Sequence, residues 1–347
     1  MSAKPLILLG IESSCDDTSA AIIKDTIILS NVVAGQEIHT KYGGVVPELA
    51  SRAHQQNIIP VVQQAIVQAG IQKEEIAGVA FTRGPGLLGS LVVGTSFAKA
   101  FALAQDIPML DVNHMHGHVL AHFIGGEDKK KPTFPFICLT ISGGHTQLVL
   151  VKDHLSMEVI GTTMDDAAGE AFDKVARILG LGFPGGPAID REAQSGNVSA
   201  IDFPRGFTQS TYQEDHAFDF SFSGLKSAVA RYLHDHPNFH VADVAASFQE
   251  AVVDVLLTKA LAAAKTEGIE HLIIGGGVAA NSRLRFLAEE RASKVGVAVR
   301  IPRPALCTDN GAMVAALGSL LVSAEVTPSR PGFEARSALP VAQVTLA

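Results

Sequence analysis

Apolar runs of strand length occur along the chain in two groups of three. The first group is residues 6–11, 20–23 and 27–33, and the second is residues 135–141, 147–151 and 157–161. Runs of this length bounded by glycine and polar residues predict β-strands, and the short spacing inside each group predicts hairpins. Because the second group repeats the order of the first, we expect two lobes of common ancestry.

Helical periodicity alternates with further strands after each group. In the first half the pattern predicts helices at 47–69 and 87–104, with strands at 78–82 and 107–112. In the second half it predicts helices at 241–266, 281–294 and 309–323, with strands at 270–274 and 297–301. Alternation of this kind is typical of α/β folds, so we expect an α/β chain with mixed sheets in two similar lobes.

The lobes are predicted to divide at residues 127–132, a charged stretch rich in lysine and closed by Pro132. We expect an N-terminal lobe at 1–130, completed by a C-terminal helix at 309–324, and a C-terminal lobe at 131–308. Residues 195–223 have many polar positions and little periodicity. We interpret them as an insertion over a central cleft.

Composition narrows the class of protein. The 47% hydrophobic content excludes a disordered chain, and the absence of Trp leaves few rings for stacking on single-stranded nucleic acid. The formal net charge of −8 argues against a free-standing polyanion binder, unless a partner supplies the basic surface. Three scattered cysteines fit a reducing compartment. With no signal-peptide pattern and no long apolar stretch, we expect a cytoplasmic protein without membrane association.

Glycine-rich segments mark several predicted loops: Gly84-Pro85-Gly86, Ser142-Gly143-Gly144-His145-Thr146, Pro184-Gly185-Gly186-Pro187 and Gly275-Gly276-Gly277. Glycine lets backbone N–H groups approach phosphate oxygens, although any one such loop is as easily a tight turn. None matches the P-loop or the dinucleotide-binding pattern. Paired strand-loop-strand hairpins with a late Gly-Gly-Gly are instead the scheme of actin, Hsp70 and sugar kinases, in which two hairpins face a nucleotide cleft.

A histidine-rich segment follows the predicted strand at 107–112. His114 and His118 lie four residues apart, which places both imidazoles on one helix face where they can share a metal, and His122 follows one turn later. The segment lacks the Glu of H-E-x-x-H, so a zinc peptidase would have no evident base. Asp309 opens the last predicted helix, where it serves either as an N-cap or as a metal ligand.

Acidic residues in loops are candidates for holding a metal, a ribose hydroxyl or a proton. The candidates are Asp16, Asp17, Asp165, Asp166, Asp173 and Asp190. Most exposed acids have no such role. We favour Asp16 and Asp17 as catalytic residues because a turn between two strands places them at the predicted cleft.

Taken together, these segments closely resemble the TsaD family from about residue 7 to residue 324. The resemblance is carried by Gly10-Ile11-Glu12-Ser13-Ser14-Cys15-Asp16-Asp17-Thr18, Gly43-Gly44-Val45-Val46-Pro47-Glu48, Gly84-Pro85-Gly86-Leu87, Asn113-His114, Gly117-His118, Ser142-Gly143-Gly144-His145-Thr146-Gln147, Asp173-Lys174, Pro184-Gly185-Gly186-Pro187 and Gly275-Gly276-Gly277-Val278-Ala279-Ala280-Asn281. Proteins of this family are tRNA threonylcarbamoyladenosine transferases, once labelled O-sialoglycoprotein endopeptidases, with the two-lobed actin-like ATPase fold (ASKHA: actin, Hsp70, sugar kinase).

The resemblance implies transfer of a threonylcarbamoyl group from threonylcarbamoyl-AMP to N6 of the adenosine 3′ of the anticodon, in tRNAs that read codons beginning with A. Carried over by position, it implies metal ligands at His114, His118 and Asp309. The implied substrate and nucleotide contacts are Thr140, Ile141, Ser142, Gly143, Gly144, Asp173, Gly186, Asp190 and Asn281. The implied metal is iron(II), with zinc as the alternative, and the bound nucleotide is ATP, ADP or threonylcarbamoyl-AMP.

The same resemblance implies a TsaB-like paralogue and a TsaE-like ATPase as partners, with which the acidic chain would hold tRNA. It leaves open whether His116, between the two implied ligands, perturbs the site. Three other classes share parts of the pattern. A metallopeptidase of the glycoprotease type would use the same histidines, a sugar-kinase-like ATPase would share the fold, and an actin-like scaffold would need only the glycine loops.

Overall fold

The computed structural model describes residues 5–124, 132–208 and 216–342. The strands are β1 (Ile7–Glu12), β2 (Thr18–Lys24), β3 (Ile27–Ala34), β4 (Gly78–Gly84), β5 (Met109–Asn113), β6 (Phe136–Ile141), β7 (Thr146–Val151), β8 (Met157–Thr162), β9 (His271–Gly275) and β10 (Ala298–Arg300). The helices are α1 (Pro47–Ala69), α2 (Leu88–Gln105), α3 (His114–Leu120), α4 (Ala168–Ile178), α5 (Gly185–Ala193), α6 (Ser223–Asp235), α7 (Val241–Thr266), α8 (Ser282–Lys294) and α9 (Gly311–Ser323).

The strands form two mixed sheets of matching topology. The first sheet has the order β3-β2-β1-β4-β5 and the second β10-β9-β6-β7-β8. In the first, β1, β2 and β3 pair antiparallel, while β1, β4 and β5 run parallel. In the second, β6, β7 and β8 pair antiparallel, while β6, β9 and β10 run parallel. The predicted α/β class with duplicated mixed sheets is confirmed.

The chain divides into two compact units, one around each sheet. The first takes in the described residues of Met1–Pro132, His154–Ser156 and Thr308–Ala347, and the second those of Thr133–Asp153 and Met157–Cys307. The helix α9, although last in the chain, therefore belongs to the first unit. The predicted junction at 127–132 lies, apart from Pro132, outside the described residues.

In the first unit, helices cover both faces of the sheet. Leu9 and Ile11 of β1 are buried in a core with apolar residues of α1 and α2. Because successive strand residues point to opposite faces, Gly10 faces the other way, where α9 packs on β1 and β2. A strand buried on both faces reads as a continuous apolar run, which is why residues 6–11 were recognisable in the sequence.

In the second unit, the long helix α7 lies in the centre of the core. Phe248 of α7 packs edge to face on Phe172 of α4, and both are buried with Leu272 of β9. α5 and α8 also contact α7. A helix that is buried around most of its surface stabilises the fold mainly by removing apolar surface from water.

Three helices of the second unit, α4, α5 and α6, were not predicted from the sequence. The Pro184–Pro187 segment was interpreted as a glycine loop after a strand, but it follows α4, and Gly185 opens α5. Proline is tolerated there because the first N–H groups of a helix have no intrahelical partner. In the predicted insertion at 195–223, Ser223 already belongs to α6; residues 209–215 lie outside the described residues, and the placement over a cleft stays a prediction.

α2 is, within the described residues, the helix that is long and apolar enough to cross a membrane by length and composition. It also forms part of the first core, where Ala98 and Ala102 are buried. Its Lys99 donates from Nζ to the Phe333 carbonyl at 2.7 Å. Core helices of folded domains pass the same test, so α2 is weak evidence for a membrane span.

Candidate functional site

The parallel strands of the first sheet end at one edge, which is where ligand sites of α/β sheets form. β1 ends at Glu12, β4 at Gly84 and β5 at Asn113, and α3 starts directly after β5. Asn113 caps this helix, because its Oδ1 accepts the Met115 N–H at 2.9 Å. The junction between β5 and α3 thus fixes the backbone position of His114, the first residue of the helix.

His114 and His118 meet on one face of α3. Their Nε2 atoms are 3.2 Å apart, and their rings lie at 88° to each other. Both imidazoles are buried. The four-residue spacing therefore brings the two side chains together as predicted.

Asp309 completes the cluster from the segment before α9. Its Oδ1 lies 3.0 Å from His118 Nε2 and 3.6 Å from His114 Nε2. The N-cap of α9 is Asn310, whose Oδ1 accepts the Met313 N–H at 3.1 Å. The alternative role of Asp309 as an N-cap is therefore wrong, and its carboxylate faces the histidines.

The three ligand atoms have the spacing that one metal ion requires. Ligands about 2.1 Å from one ion, at bond angles of roughly 90° to 109°, are separated from each other by about 3.0 to 3.4 Å. The observed separations of 3.0, 3.2 and 3.6 Å are close to this. In the described part of the chain, His114, His118 and Asp309 form the group whose ligand atoms all lie within 4.8 Å of one another. These residues fit a divalent cation.

Glu12, which sequence analysis did not select as a site residue, is fully buried beside this cluster. Its Oε2 accepts hydrogen bonds from Thr82 Oγ1 at 2.6 Å and from His114 Nδ1 at 3.1 Å, and its Oε1 accepts the Ser14 N–H at 2.6 Å. Burial alone would raise the pKa of Glu12, but His114 outweighs it and lowers that pKa. In the sequence, the feature that could have identified Glu12 is a carboxylate at the end of an apolar run of strand length.

The loop between β1 and β2 carries Asp16 and Asp17, the two predicted catalytic acids. Burial, together with the nearby carboxylates of Asp16 and Asp309, raises the pKa of Asp17 to about 7. Burial and the same carboxylates raise the pKa of the Cys15 thiol well above its usual range. Cys15 therefore stays protonated and is a poor nucleophile, whereas Asp17 titrates near neutral pH.

His116 and His122 do not join the metal cluster. His116 lies on the opposite face of α3, where its Nε2 donates to the Val341 carbonyl, and burial lowers its pKa to about 4. It is therefore neutral and turned away from His114 and His118. α3 ends at Leu120, so His122 lies in a short 3₁₀ helix (Ala121–Phe123) and not one turn further along the same helix.

In the second unit, the predicted substrate loop lies at the corresponding edge of its sheet. Thr140 and Ile141 end β6, and Ser142–His145 forms a tight turn in which the Ser142 N–H donates to the His145 carbonyl at 2.8 Å. Gly169 and Gly276 approach this turn closely: a Cβ on either would lie 2.5 Å or less from a carbonyl oxygen of Ser142 or Ile141. Glycine is required at both positions by packing.

Four glycines in the glycine-rich segments of the second unit have no such requirement, and neither has Gly224 at the start of α6. A Cβ on Gly143, Gly144, Gly186 or Gly277 would meet nothing within 4 Å, and none of these residues has a positive φ. Glycine is entropically costly when neither packing nor backbone conformation needs it. An approaching ligand backbone or phosphate is a physical reason for its use, so these four positions fit a phosphate-bearing ligand.

Asp173, Asp190 and Asn281 link the helices around that turn. Asp173 of α4 accepts the Gly185 N–H at 2.7 Å, and Asp190 of α5 accepts the Ser282 hydroxyl at 2.7 Å. Asn281 caps α8 through the Leu284 N–H, and its Nδ2 donates to Gln249 Oε1 at 2.7 Å. These bonds link α4 to α5, α5 to α8, and Asn281 to α7. The contacts of these three residues with substrate stay predictions.

Residues 27–316 match the family model of TsaD, tRNA N6-adenosine threonylcarbamoyltransferase. A relative of that name from Porphyromonas gingivalis is 54% identical over 324 residues, which cover 91% of this chain and 93% of the relative. The chain belongs to the TsaD family. A relative of the same name from Riemerella anatipestifer is 52% identical over the same shares of both chains.

Solved structures show the fold of this TsaD-family chain at low sequence identity. Full-length HypF, in a phosphate- and nucleotide-bound form, matches with a TM-score of 0.60 at 14% identity over 92% of this chain, which spans about half (46%) of the HypF chain. The activator of 2-hydroxyisocaproyl-CoA dehydratase from Clostridium difficile, with bound ADPNP, matches with a TM-score of 0.52 at 16% identity over 93% of this chain and 98% of that chain. These matches show the ASKHA-type fold, as predicted.

Proposed function

We propose that this chain transfers a threonylcarbamoyl group to N6 of the adenosine 3′ of the anticodon in tRNAs that read codons beginning with A. The observation that carries the proposal is the similarity, over nearly its whole length, to relatives named for this activity. The donor is threonylcarbamoyl-AMP. The adenosine amine attacks the carbamoyl carbon, the bond from that carbon to the phosphate oxygen breaks, and AMP leaves.

In this proposal His114, His118 and Asp309 would hold one divalent metal ion, which would supply positive charge to stabilise a phosphate group. Two imidazoles and one carboxylate are a ligand set used by iron(II) and also by zinc. We favour iron(II). The geometry that supports the assignment is the three short separations between Nε2, Nε2 and Oδ1.

The nucleotide part of the donor is assigned to the second unit. Thr140–Gly144, Asp173, Gly186, Asp190 and Asn281 are the proposed contacts. The open glycines Gly143, Gly144 and Gly186 support this, because a Cβ at any of them would meet nothing within 4 Å, which leaves room for a phosphate to approach the backbone. ATP or ADP would bind to the same backbone donors.

Asp17 is the proposed acceptor of the N6 proton, and Asp16 its companion in the same loop. A base works best when its pKa lies near the working pH, and burial with neighbouring carboxylates brings the pKa of Asp17 to about 7. Bound metal would lower this pKa, which favours the ionised form that accepts a proton.

Partners are proposed to supply what the acidic chain lacks. The net charge of −8 disfavours tRNA binding by this chain alone. We propose that a TsaB-like paralogue and a TsaE-like ATPase complete the tRNA surface, and that the protein works in the cytoplasm, where tRNA is modified, without a membrane.

Reconstitution tests the activity. The chain is incubated with the TsaB-like and TsaE-like proteins, tRNA, threonine, bicarbonate, ATP and the enzyme that makes the adenylate, and the nucleosides are analysed by mass spectrometry. We expect threonylcarbamoyladenosine, and its loss when Asp16 and Asp17 are both replaced by Asn. Cleavage of a glycoprotein, or phosphorylation of a sugar, without modified tRNA would favour the peptidase or kinase class instead.

Metal analysis tests the site independently. Protein purified without chelators should contain close to one divalent ion per chain, and His118→Ala should lose it, because a chelate of three ligands becomes one of two. His234→Ala, a change at a histidine whose side chain is 89% exposed, is the matched control and should retain the ion. Equal metal content in both variants would remove His118 from the site.

A further inference from the structure

We propose that Glu12 is a positioning residue that orients His114 for metal binding, and this inference rests on the proposed metal site. Glu12 is 0% exposed, and in the described part of the chain its one ion-pair partner is His114. A buried carboxylate without a Lys or Arg partner is costly. Packing alone therefore does not explain a carboxylate at the end of β1.

The hydrogen bond between Glu12 and His114 decides which imidazole nitrogen is free. His114 Nδ1 lies 3.1 Å from Glu12 Oε2 and 3.1 Å from Ser14 Oγ; the carboxylate can only accept and the hydroxyl can also accept, so Nδ1 carries the proton. In the neutral ring this leaves the lone pair on Nε2, the atom that faces His118 and Asp309. A metal-bound histidine commonly donates its other N–H to a carboxylate, which fixes both tautomer and ring orientation.

Glu12 is itself held by two further groups. The Ser14 N–H donates to Oε1 and the Thr82 hydroxyl to Oε2, each at 2.6 Å. These bonds come from the loop after β1 and from the neighbouring strand β4, so the carboxylate cannot rotate without losing one of them. The hydrogen bonds from Thr82 to Glu12 and from His114 to Glu12 thus fix the His114 ring relative to the sheet.

His118 lacks an equivalent support. Its Nδ1 is buried and, among the described residues, has no hydrogen-bond partner. The two histidines are therefore not equivalent: a carboxylate holds His114 at Nδ1, the nitrogen that faces away from the proposed metal, and His118 has no such bond at its Nδ1 among the described residues. Glu12 also adds a second negative charge beside Asp309, which balances a divalent cation.

The test compares Glu12→Gln, which keeps an acceptor but removes the charge, with Glu12→Ala, which removes both. Metal dissociation constants are measured with Zn²⁺ and Co²⁺ by chelator competition. We expect affinity to fall about 10-fold for Glu12→Gln and about 100-fold for Glu12→Ala, the range found for carboxylates behind metal-bound histidines. Asp111→Asn is the matched control. Asp111 is also a buried carboxylate of the first sheet, but it pairs with Arg83 at 3.0 Å, and its loss should leave metal affinity within about 2-fold.

A second readout reports the tautomer directly. In the Co²⁺-loaded wild-type protein, the shifted proton resonance of His114 Nδ1–H should exchange slowly with water, and it should broaden or vanish in Glu12→Ala. Unchanged affinity and an unchanged resonance in both Glu12 variants would overturn the proposal. Failure of the wild-type chain to bind either ion would instead overturn the metal site itself, so the two failures are distinguishable.

Discussion

At the scale of single residues, several acidic side chains of the first unit lie close to Asp17. Burial, together with the nearby carboxylates of Asp16, Asp309 and Glu12, raises the pKa of Asp17 to about 7. A carboxyl whose pKa is raised on folding binds its proton more tightly in the native state. The fold therefore loses stability as pH rises from about 4 through 7, once the native carboxyl must ionise.

Asp17→Asn should remove that loss. In metal-free protein at pH 8, we expect the variant to melt about 3 to 8 °C above the wild type, and the difference should shrink towards zero near pH 4. Thermal unfolding with a chelator present, at several pH values, measures it. Glu74→Gln, at an exposed carboxylate, should show no such trend. If Asp17→Asn were less stable than the wild type at pH 8, the ionised Asp17 would not be destabilised by burial and by its neighbouring carboxylates.

Prediction from sequence succeeded for residues whose chemistry follows from local spacing. His114 and His118 are one helical turn apart, and the structure brings them together. Glu12 was missed because its role depends on His114, 102 positions away, and on Thr82, 70 positions away. The two possible roles of Asp309 could not be separated in the sequence, because the true cap, Asn310, is its direct neighbour and an equally good capping residue.

At the scale of elements, α9 lies flat on the first sheet because small residues meet there. A Cβ on Gly10 would stand 2.2 Å from the Gly311 carbonyl oxygen, and one on Gly318 would stand 2.6 Å from the Ala80 Cβ. The Gly311 N–H also donates to Ser19 Oγ at 2.8 Å. This close contact fixes the start of α9, and thereby the position of Asp309 two residues before it.

Gly10→Ala should therefore disturb both stability and metal binding. The added methyl group meets backbone, which cannot rotate away, so we expect a loss of about 1 to 3 kcal/mol in unfolding free energy and a measurable loss of metal affinity. Gly332→Ala is the matched control, since a Cβ there meets nothing within 4 Å. Denaturant unfolding and chelator competition give the two values. A Gly10→Ala protein with wild-type metal affinity would show that α9 does not position Asp309.

The segment after α9 crosses the ends of β4 and β5 and acts as a strap, residues 326–342. The Ser329 N–H donates to the Met109 carbonyl at 2.8 Å, and the Arg336 N–H to the Arg83 carbonyl at 3.0 Å. Further along, Asn113 donates from Nδ2 to the Pro340 carbonyl at 3.0 Å. The strap thus contacts β5 at its start, Met109, and at its end, Asn113, directly before α3, and it contacts β4 near its end, at Arg83.

Phe333 is the main side-chain anchor of this strap. Its ring stacks on Phe81 at 5.0 Å between centroids, with Lys99 Nζ 4.0 Å from its centre. Phe333→Ala should cost about 2 kcal/mol in unfolding free energy and should make the strap sensitive to proteolysis, whereas Phe333→Leu should cost less than half of that. Limited proteolysis with mass spectrometry and denaturant unfolding provide the measurements. Equal losses in the two variants would show that packing volume at this site is unimportant.

Most strands and helices were predictable from the sequence, but α4 was missed although its buried residues recur at helical spacing, and α5 was missed because it is short and begins with glycine and proline. The strands of both sheets and the helices α1, α2, α7 and α8 were found within a few residues. α5 starts with Gly-Gly-Pro, residues that promote turns in isolation, and its start is instead stabilised by a tertiary hydrogen bond that the Gly185 N–H donates to the Asp173 carboxylate. Tertiary contacts of this kind do not appear in local sequence patterns.

At the scale of the whole molecule, duplication of the sheet topology was visible in the repeated hairpin pattern. The central cleft is a statement about how two lobes face each other, and it stays a prediction. A partner surface is a further whole-molecule property, and apolar exposure points to one. α1 and α2 pack on each other in the first unit, and their outer positions Ile59, Val67, Leu88, Val92 and Leu103 are 46% to 70% exposed.

Three of these residues form a stripe on α2. Leu88, Val92 and Leu103 project within about 60° of each other around the helix axis, at 3.6 residues per turn. Apolar stripes left uncovered lower solubility, and they commonly mark a protein interface. Because the chain is proposed to work with a TsaB-like paralogue, we propose this exposed apolar face of α1 and α2 as the surface for that partner.

The double variant Val67→Asp with Leu103→Asp should abolish this association and leave the fold intact. Both side chains are at least 65% exposed, so their replacement removes little burial within the chain, and the melting temperature should stay within about 2 °C of the wild type. Affinity for the TsaB-like protein should fall about 30-fold or more, as for a loss of ~2 kcal/mol at an interface centre. Titration calorimetry measures the affinity, and the yield of modified nucleoside should fall with it.

Val295→Asp, at a 59% exposed position of the second unit, should bind the partner normally. Undiminished binding by the double variant would exclude this face, because two buried carboxylates could not be accommodated in an apolar interface without loss.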